Sequence, residues 1–127
     1  MNGASMGIAY ADLTVLSTDG THRVDLRLVV DNSSVLTWLP RRLLSQLGIA
    51  PTRTRTFRTI DRTTPPKDVG EAPIRCQGLS GTVPVVFGDE GDASVLGVTA
   101  LEILGLAVDP STGRLAREDV SLALASA

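Results

Sequence analysis

The 127-residue chain has one cysteine, Cys76, one histidine, His22, and four aromatic residues, Tyr10, Trp38, Phe57 and Phe87. A single cysteine excludes an intrachain disulfide and fits a reducing compartment. A single histidine leaves a Ser-His-Asp triad or a zinc site without partners, and His22, just after "TDGT", is read as a solvated side chain. So few aromatics argue against a stacking platform for single-stranded nucleic acid. The net charge of −2 creates no field that would draw the chain onto nucleic acid or an anionic membrane. No apolar run approaches membrane-spanning length. The first residues lack the basic-then-apolar order of a signal peptide. These readings predict a cytoplasmic protein with no nucleic-acid or membrane partner, no cofactor and no metal.

Apolar residues make up 43% and charged residues 20%, an ordinary balance for one globular domain. Residues 7–17, "GIAYADLTVLS", nearly alternate and predict a strand. Asp-Gly in "TDGT" then signals a hairpin. In "HRVDLRLVV", residues 22–30, Val24, Leu26, Leu28 and Val30 share one face and Arg23, Asp25 and Arg27 the other. Val29 breaks the polar face, as if the last turn of the strand goes deeper. "VLTWLP" resumes extended structure, and "PRRLLSQLG" predicts a short helix with Pro40 first and Gly48 as its cap. "TRTRTFRTI", residues 52–60, suits an exposed strand. "VGEAPIRCQ" and "GTVPVVFG" predict strands joined through "GLSG". "VLGVTALEILG" begins extended and becomes a helix from Thr99, capped by Gly105. "LAVD", "PSTG" and "RLAR" make a last hairpin, and the tail at 118–127 carries a weak helical pattern that disorder would equally fit. Many short strands with two short helices and no βαβ rhythm predict an all-β barrel or sandwich.

Two segments are alike: "LRLVVDNSSVLTWLPRRLLSQLGI" and "VPVVFGDEGDASVLGVTALEILGLAV". Each has an apolar strand, a turn with acid, a short apolar strand and a leucine-rich helix ended by Gly-aliphatic. With the closing "STGRLAR", these segments resemble the retroviral-type (retropepsin-like) aspartic proteases of clan AA, in their small bacterial and archaeal branch. The likeness spans roughly residues 6–117 and implies a mostly β chain, folded as the closed β-barrel of that family with one or two short helices. It implies one retropepsin-like domain over 1–117, followed by the 118–127 tail. It makes Asp31 the catalytic acid, with Asn32, Ser33 and Ser34 as the active-site loop. Ile60, Asp61, Arg62, Thr63 and Thr64 become the flap, and Val95, Leu96 and Gly97 the second-half Leu-Gly element. It implies a homodimer that cuts peptide or protein substrates with water, using one aspartate from each chain and no cofactor.

The family triplet is Asp-Thr/Ser-Gly, whereas this chain has Asp31-Asn32-Ser33. Ser33 adds a Cβ where the family has glycine, for an expected strain on the order of 1–3 kcal/mol. The flap region has two prolines, Pro65 and Pro66, and no glycine, which predicts a stiff turn. Two readings follow: an active peptidase, or a catalytically impaired homologue serving as a dimeric peptide-binding or scaffold module. Elsewhere ordinary roles are expected. Arg53, Arg55, Arg58 and Arg62 form a solvated surface rather than a phosphate stripe. Asp89, Glu90 and Asp92 form a solvated loop, since their spacing does not fit an EF-hand. Asp109 is a turn former and Cys76 a buried thiol. Trp38 is read as core or interface, and Leu43, Leu44, Leu47, Leu101, Ile103 and Leu104 as helix-face core.

Overall fold

A computed structural model describes residues 8–58, 60, 61 and 63–118. Strands β1 (Ala9–Leu16) and β2 (Arg23–Val30) form the expected antiparallel hairpin, from Ala9 opposite Val30 to Leu16 opposite Arg23. Asp19 holds its turn by accepting bonds from Ser17 and Thr21. There follow β3 (Thr37–Pro40), helix α1 (Arg41–Gln46) and the short β4 (Arg53–Arg55). Then come the long pair β5 (Lys67–Cys76) and β6 (Leu79–Gly88), the two-residue β7 (Val95–Leu96) and helix α2 (Val98–Leu104). A closing hairpin, β8 (Leu106–Asp109) with β9 (Arg114–Arg117), forms its own two-stranded sheet.

The other strands form one sheet in the order β1-β2-β7-β3-β6-β5-β4. β1 also pairs with β5, Leu13 lying opposite Cys76, so β1-β2-β7-β3-β6-β5 closes into a ring. The far end of the same β5 carries β4 instead, through Arg53 opposite Val69. Alternation drives this closure. Ala9, Ala11, Leu13 and Val15 of β1 point to the core, as do Leu28 and Val30 of β2 and Ala72, Ile74 and Cys76 of β5. Leu43, Leu44 and Leu47 of the α1 segment and Ala100, Leu101 and Leu104 of α2 pack on the same core. Each fully buried large side chain, such as Phe87, Leu39 or Leu44, contributes about 1.5–3 kcal/mol. An exposed ion pair contributes about 0–1 kcal/mol, so apolar burial dominates the fold.

A second, smaller cluster joins Leu36, Val69 and Val86 with half-buried Trp38 and Phe57. Val69 and Val86 alternate with the core-facing residues of their strands, which puts this cluster on the outer side of the sheet.

Several expectations need correction. Pro40 ends β3 with extended backbone (ψ 133) and precedes the helix, which starts at Arg41. β5 and β6 meet at a two-residue turn, Gln77-Gly78, with φ 51 and 77. "GLSG" is therefore mostly strand, because the I′-like turn matches the strands' twist. Among the described residues of 52–60 only Arg53–Arg55 form a strand. Ile103 is 48% exposed and outside the core. The last turn of β2 does go deeper on its inner face, where Leu28 and Val30 are buried and Val24 and Leu26 half-buried, but Val29 itself is 37% exposed, beside Tyr10 and Val95 on the outer face. Gly105, with φ 75, caps α2 as expected. Of the 118–127 tail only Glu118 is described, its amide donating to the Gly105 carbonyl at 2.8 Å; residues 119–127 lie outside the described residues, as does the start of the chain at 1–7.

Candidate active site

The two alike segments become two interlocked units. In the first, β2 runs into a loop at Asp31 and returns as β3, and β7 of the second unit lies between them. In the second, β6 runs into a loop at Asp89 and returns as β7, and β3 of the first unit lies between them. Each loop opens with the same turn: the Ser34 amide donates to the Asp31 carbonyl at 3.1 Å, and the Asp92 amide to the Asp89 carbonyl at 3.0 Å.

Three backbone bonds fasten the Asp31 loop to the second unit. The Asp31 amide donates to the Leu96 carbonyl at 2.9 Å, the Val98 amide to Ser34 at 2.9 Å and the Thr99 amide to Val35 at 3.0 Å. Thr37, fully buried, accepts from the Gly97 amide through Oγ1 at 3.0 Å. Gly97 is glycine because of this crossing. A Cβ there would lie 2.4 Å from the Leu36 carbonyl oxygen and 2.8 Å from that of Ser34. Val95, Leu96 and Gly97 therefore support the Asp31 loop directly, although 60 or so residues separate them from it in sequence.

Asp31 is half-buried, while Asn32 and Ser33 are exposed. The Ser33 amide donates to Asp31 Oδ1 at 2.9 Å and the Ser33 hydroxyl to the same oxygen at 2.5 Å. Asp31 has no ion-pair partner among the described residues. The strain expected at Ser33 is not found. Among the described residues Gln77 is the only non-glycine with positive φ, so Ser33 carries its Cβ in ordinary backbone. The same brace occurs at two plain turns. Thr21 braces Asp19, and Ser111 braces Asp109, through amide and hydroxyl on one carboxylate oxygen. In those turns the bonds hold both carboxyls below their ordinary range, led at Asp19 by the Ser17 hydroxyl and at Asp109 by that of Ser111. What sets Asp31 apart is its place, at the crossing of the two units.

A depression of about 260 Å³ opens beside it, lined by Asp31, Ser34, Trp38, Asp92, Ala93 and Val95. A second, of about 230 Å³, is lined by Trp38, Thr63, Thr64, Pro65, Lys67 and Asp92. Trp38 and Asp92 belong to both, so the two run together as one groove. Trp38 is thus more than core: its ring packs on Phe57 (centroids 5.3 Å apart) and faces the groove. Sequence reasoning passed over its role because one tryptophan in a short strand carries no directional signal.

The predicted flap is a hairpin. Arg58 bridges Thr63, and the Thr64 amide donates to the Phe57 carbonyl at 2.8 Å. Ile60 and Asp61 lie at its tip, with the Ile60 side chain fully exposed, while Thr63 and Thr64 reach the groove. Arg62, and with it part of the predicted Arg surface, lies outside the described residues. Pro65 and Pro66 come after the bridge, on the arm leading to β5, so they stiffen the arm and leave the tip free of proline.

The second loop is more tied down than a solvated loop. Arg41 donates through Nε to Asp89 at 2.9 Å and through Nη1 to Asp68 at 2.7 Å. Lys67 Nζ meets Asp92 at 2.9 Å and Asp89 at 3.3 Å. Asp92 also accepts from the Asp89 amide at 2.8 Å. Arg41 holds the Asp89 carboxyl below its ordinary range, and Lys67 does the same for Asp92. Cys76 is buried in the core, and burial pushes its thiol up. No group of metal-ligating side chains exists among the described residues, and no helix there is long and apolar enough to cross a membrane.

No protein-family model matches the chain, and no curated protein matches it either.

Proposed function

We propose that the chain is a retropepsin-like aspartic endopeptidase that works as a homodimer, its ring of strands being the closed barrel of that family. The observation that carries this reading is the crossing of two like units, with a carboxylate at the crossing loop that has no ion-pair partner among the described residues and a groove running from it to a hairpin. A single Asp31 cannot act as both acid and base. Two copies about a twofold axis would bring two Asp31 carboxyls together. Neighbouring carboxylates cannot both ionise cheaply, so the pair holds one proton. The ionised member takes a proton from water, and the protonated member hydrogen-bonds the scissile carbonyl as charge develops on its oxygen. The Ser33 hydroxyl occupies one carboxylate oxygen and leaves the other for the partner. Thr63 and Thr64 would lie over a bound peptide.

A second reading, a dimeric peptide-binding or scaffold module of the same fold without hydrolysis, is favoured by one observation. The Asp31 turn is locally the same as the turns at Asp19 and Asp109. The test is cleavage of a mixed peptide library between about pH 4 and pH 7, comparing the chain with Asp31→Asn, alongside sedimentation to read the dimer. Cleavage lost in Asp31→Asn supports the peptidase. Peptide binding without cleavage in either supports the module.

A further inference from the structure

The charged network around Lys67 has a geometry that a plain surface cluster lacks. It joins the base of the hairpin arm, Lys67 and Asp68 at the start of β5, to the first turn of α1 at Arg41 and to the second loop at Asp89 and Asp92. Lys67 is its least exposed member, with 15% of the side chain exposed. Its Nζ lies 6.0 Å from the centre of the Trp38 ring and contacts both second-loop aspartates. Asp92 and Ala93 form the wall of the groove next to Asp31.

The two loops are braced in different ways. The Asp31 carboxylate is held by a hydroxyl and an amide of its own loop, and that loop's backbone is fastened to the second unit at Leu96, Val98 and Thr99, with no charged side chain involved. Asp89, at the matching place in the second unit, is held from outside by Arg41 and Lys67. Among the described residues, beyond its opening turn and the Asp92 carboxylate on the Asp89 amide, the second loop's side-chain bonds all lead to these two cations. Without Lys67, Asp89 and Asp92 would face each other as like charges with only Arg41 beside Asp89. Like charges this near repel and favour separation.

We propose that Lys67 is a positioning residue: by gripping Asp92 and Asp89 it sets the groove wall across from Trp38 and couples that wall to the arm of the hairpin. The proposal rests on the groove being the peptide site. Its effect falls on peptide binding, since Lys67 touches neither Asp31 nor the reacting atoms. Arginine keeps the charge and reach, while methionine keeps only the apolar stem.

Trp38 is the sole tryptophan and lines the groove, so its fluorescence reports the wall without any substrate. The experiment measures acrylamide quenching of Trp38 in the full chain, Lys67→Met, Lys67→Arg and Asp92→Asn, with Arg53→Met as the control that breaks a pair elsewhere, Arg53–Glu71. Circular dichroism checks that each is folded. Lys67→Met is expected to raise quenching about twofold as the loop opens locally, Asp92→Asn to follow it, and Lys67→Arg and Arg53→Met to match the parent chain. For a peptide the library yields, Lys67→Met is expected to raise KM about tenfold with kcat unchanged, and Lys67→Arg to restore it. Unchanged quenching in Lys67→Met, or in Asp92→Asn should Lys67→Met not fold, overturns the proposal whatever the cleavage result. Raised quenching with unchanged KM overturns the positioning role. If the parent chain cleaves nothing, the peptidase reading has failed. Raised quenching with rescue by arginine then still upholds Lys67 as the residue that sets the wall.

Discussion

Gly97→Ala is the sharpest perturbation the fold offers. The new Cβ would sit 2.4 Å from the Leu36 carbonyl oxygen, 2.5 Å from its carbon and 2.8 Å from the Ser34 carbonyl oxygen. All three are backbone atoms, so no rotamer change relieves the contact. The chain has to move apart where β7 crosses under the Asp31 loop, and the movement strains bonds from Gly97 to Thr37, Val98 to Ser34 and Thr99 to Val35. Overpacking costs about 1–3 kcal/mol, and each weakened bond adds about 0.5–1.5 kcal/mol. The expected loss is about 3–5 kcal/mol, a large share of the stability of a small domain. Gly81→Ala is the matched control. Its Cβ would meet the side-chain methyls Ile103 Cγ2 at 3.1 Å and Leu104 Cδ2 at 3.4 Å and no backbone atom, and Ile103 is half-exposed and free to give a little. That change is expected to stay within about 1 kcal/mol. Urea unfolding followed by Trp38 fluorescence and by circular dichroism reads both. Because the strain is next to Asp31, any cleavage should fall in Gly97→Ala even in conditions where it is folded. A Gly97→Ala loss below about 1 kcal/mol, or one no larger than that of Gly81→Ala, would falsify the account of the crossing.

Other outcomes follow from the same geometry. Asp31→Asn is expected to abolish cleavage and to change stability by less than about 1 kcal/mol, because an amide oxygen still accepts from Ser33; denaturant midpoints and product formation check it together. The Asp89 and Asp92 carboxyls are held below their usual 3.8 by Arg41 and Lys67, so their stabilisation is complete above that value and is lost as pH falls through the lower folded values. The urea midpoint should therefore drop below about pH 4, less so in high salt, and the Lys67→Met chain should drop less. Lys67 is shifted the other way, mainly by Asp92, so its share persists below its ordinary 10.5 and is lost as pH rises through its higher folded value. Cys76, buried and with its thiol pushed up, should react with a thiol reagent at pH 8 only as fast as the chain opens, and Cys76→Ser should cost about 1–3 kcal/mol by burying a hydroxyl.

Local features were legible in the sequence because their causes are local. The alternation in β2, the Asp-Gly turn of the first hairpin, Gly105 after α2 and the Asp109 turn all depend on a few neighbouring residues. The likeness of the two halves was also readable, since each repeats an apolar strand, an acid and a leucine-rich helix. What escaped lies between distant residues. "VLG" read as extended, but nothing local showed that the two residues of β7 wedge between β2 and β3. The closure of β1 onto β5 pairs Leu13 with Cys76 through no local signal. The deeper last turn of β2 was legible, but the apolar Val29 on its outer face had no local explanation, because its neighbours there, Tyr10 and Val95, come from other strands. The grip of Arg41 and Lys67 on the second loop was hidden for the same reason, and Asp89 and Asp92 looked like solvent-facing acids. Serine at position 33 looked strained by analogy alone, and its backbone is ordinary.

The interlocking of the two units also orders the making of the chain. During synthesis, β2 and β3 emerge with the gap between them unfilled, and their edges offer unpaired amides and carbonyls until residues 95–96 arrive. β6 must be out as well, because it flanks β3 on the other side. No stretch ending before Leu96 can complete the sheet, so the first three-quarters of this chain leaves strand edges open until then. Contacts of such long span make folding slow relative to a helical domain of this size. The sheet is therefore complete only when strands far apart in sequence are present together, and β7, the shortest of them, is the piece on which the closure waits.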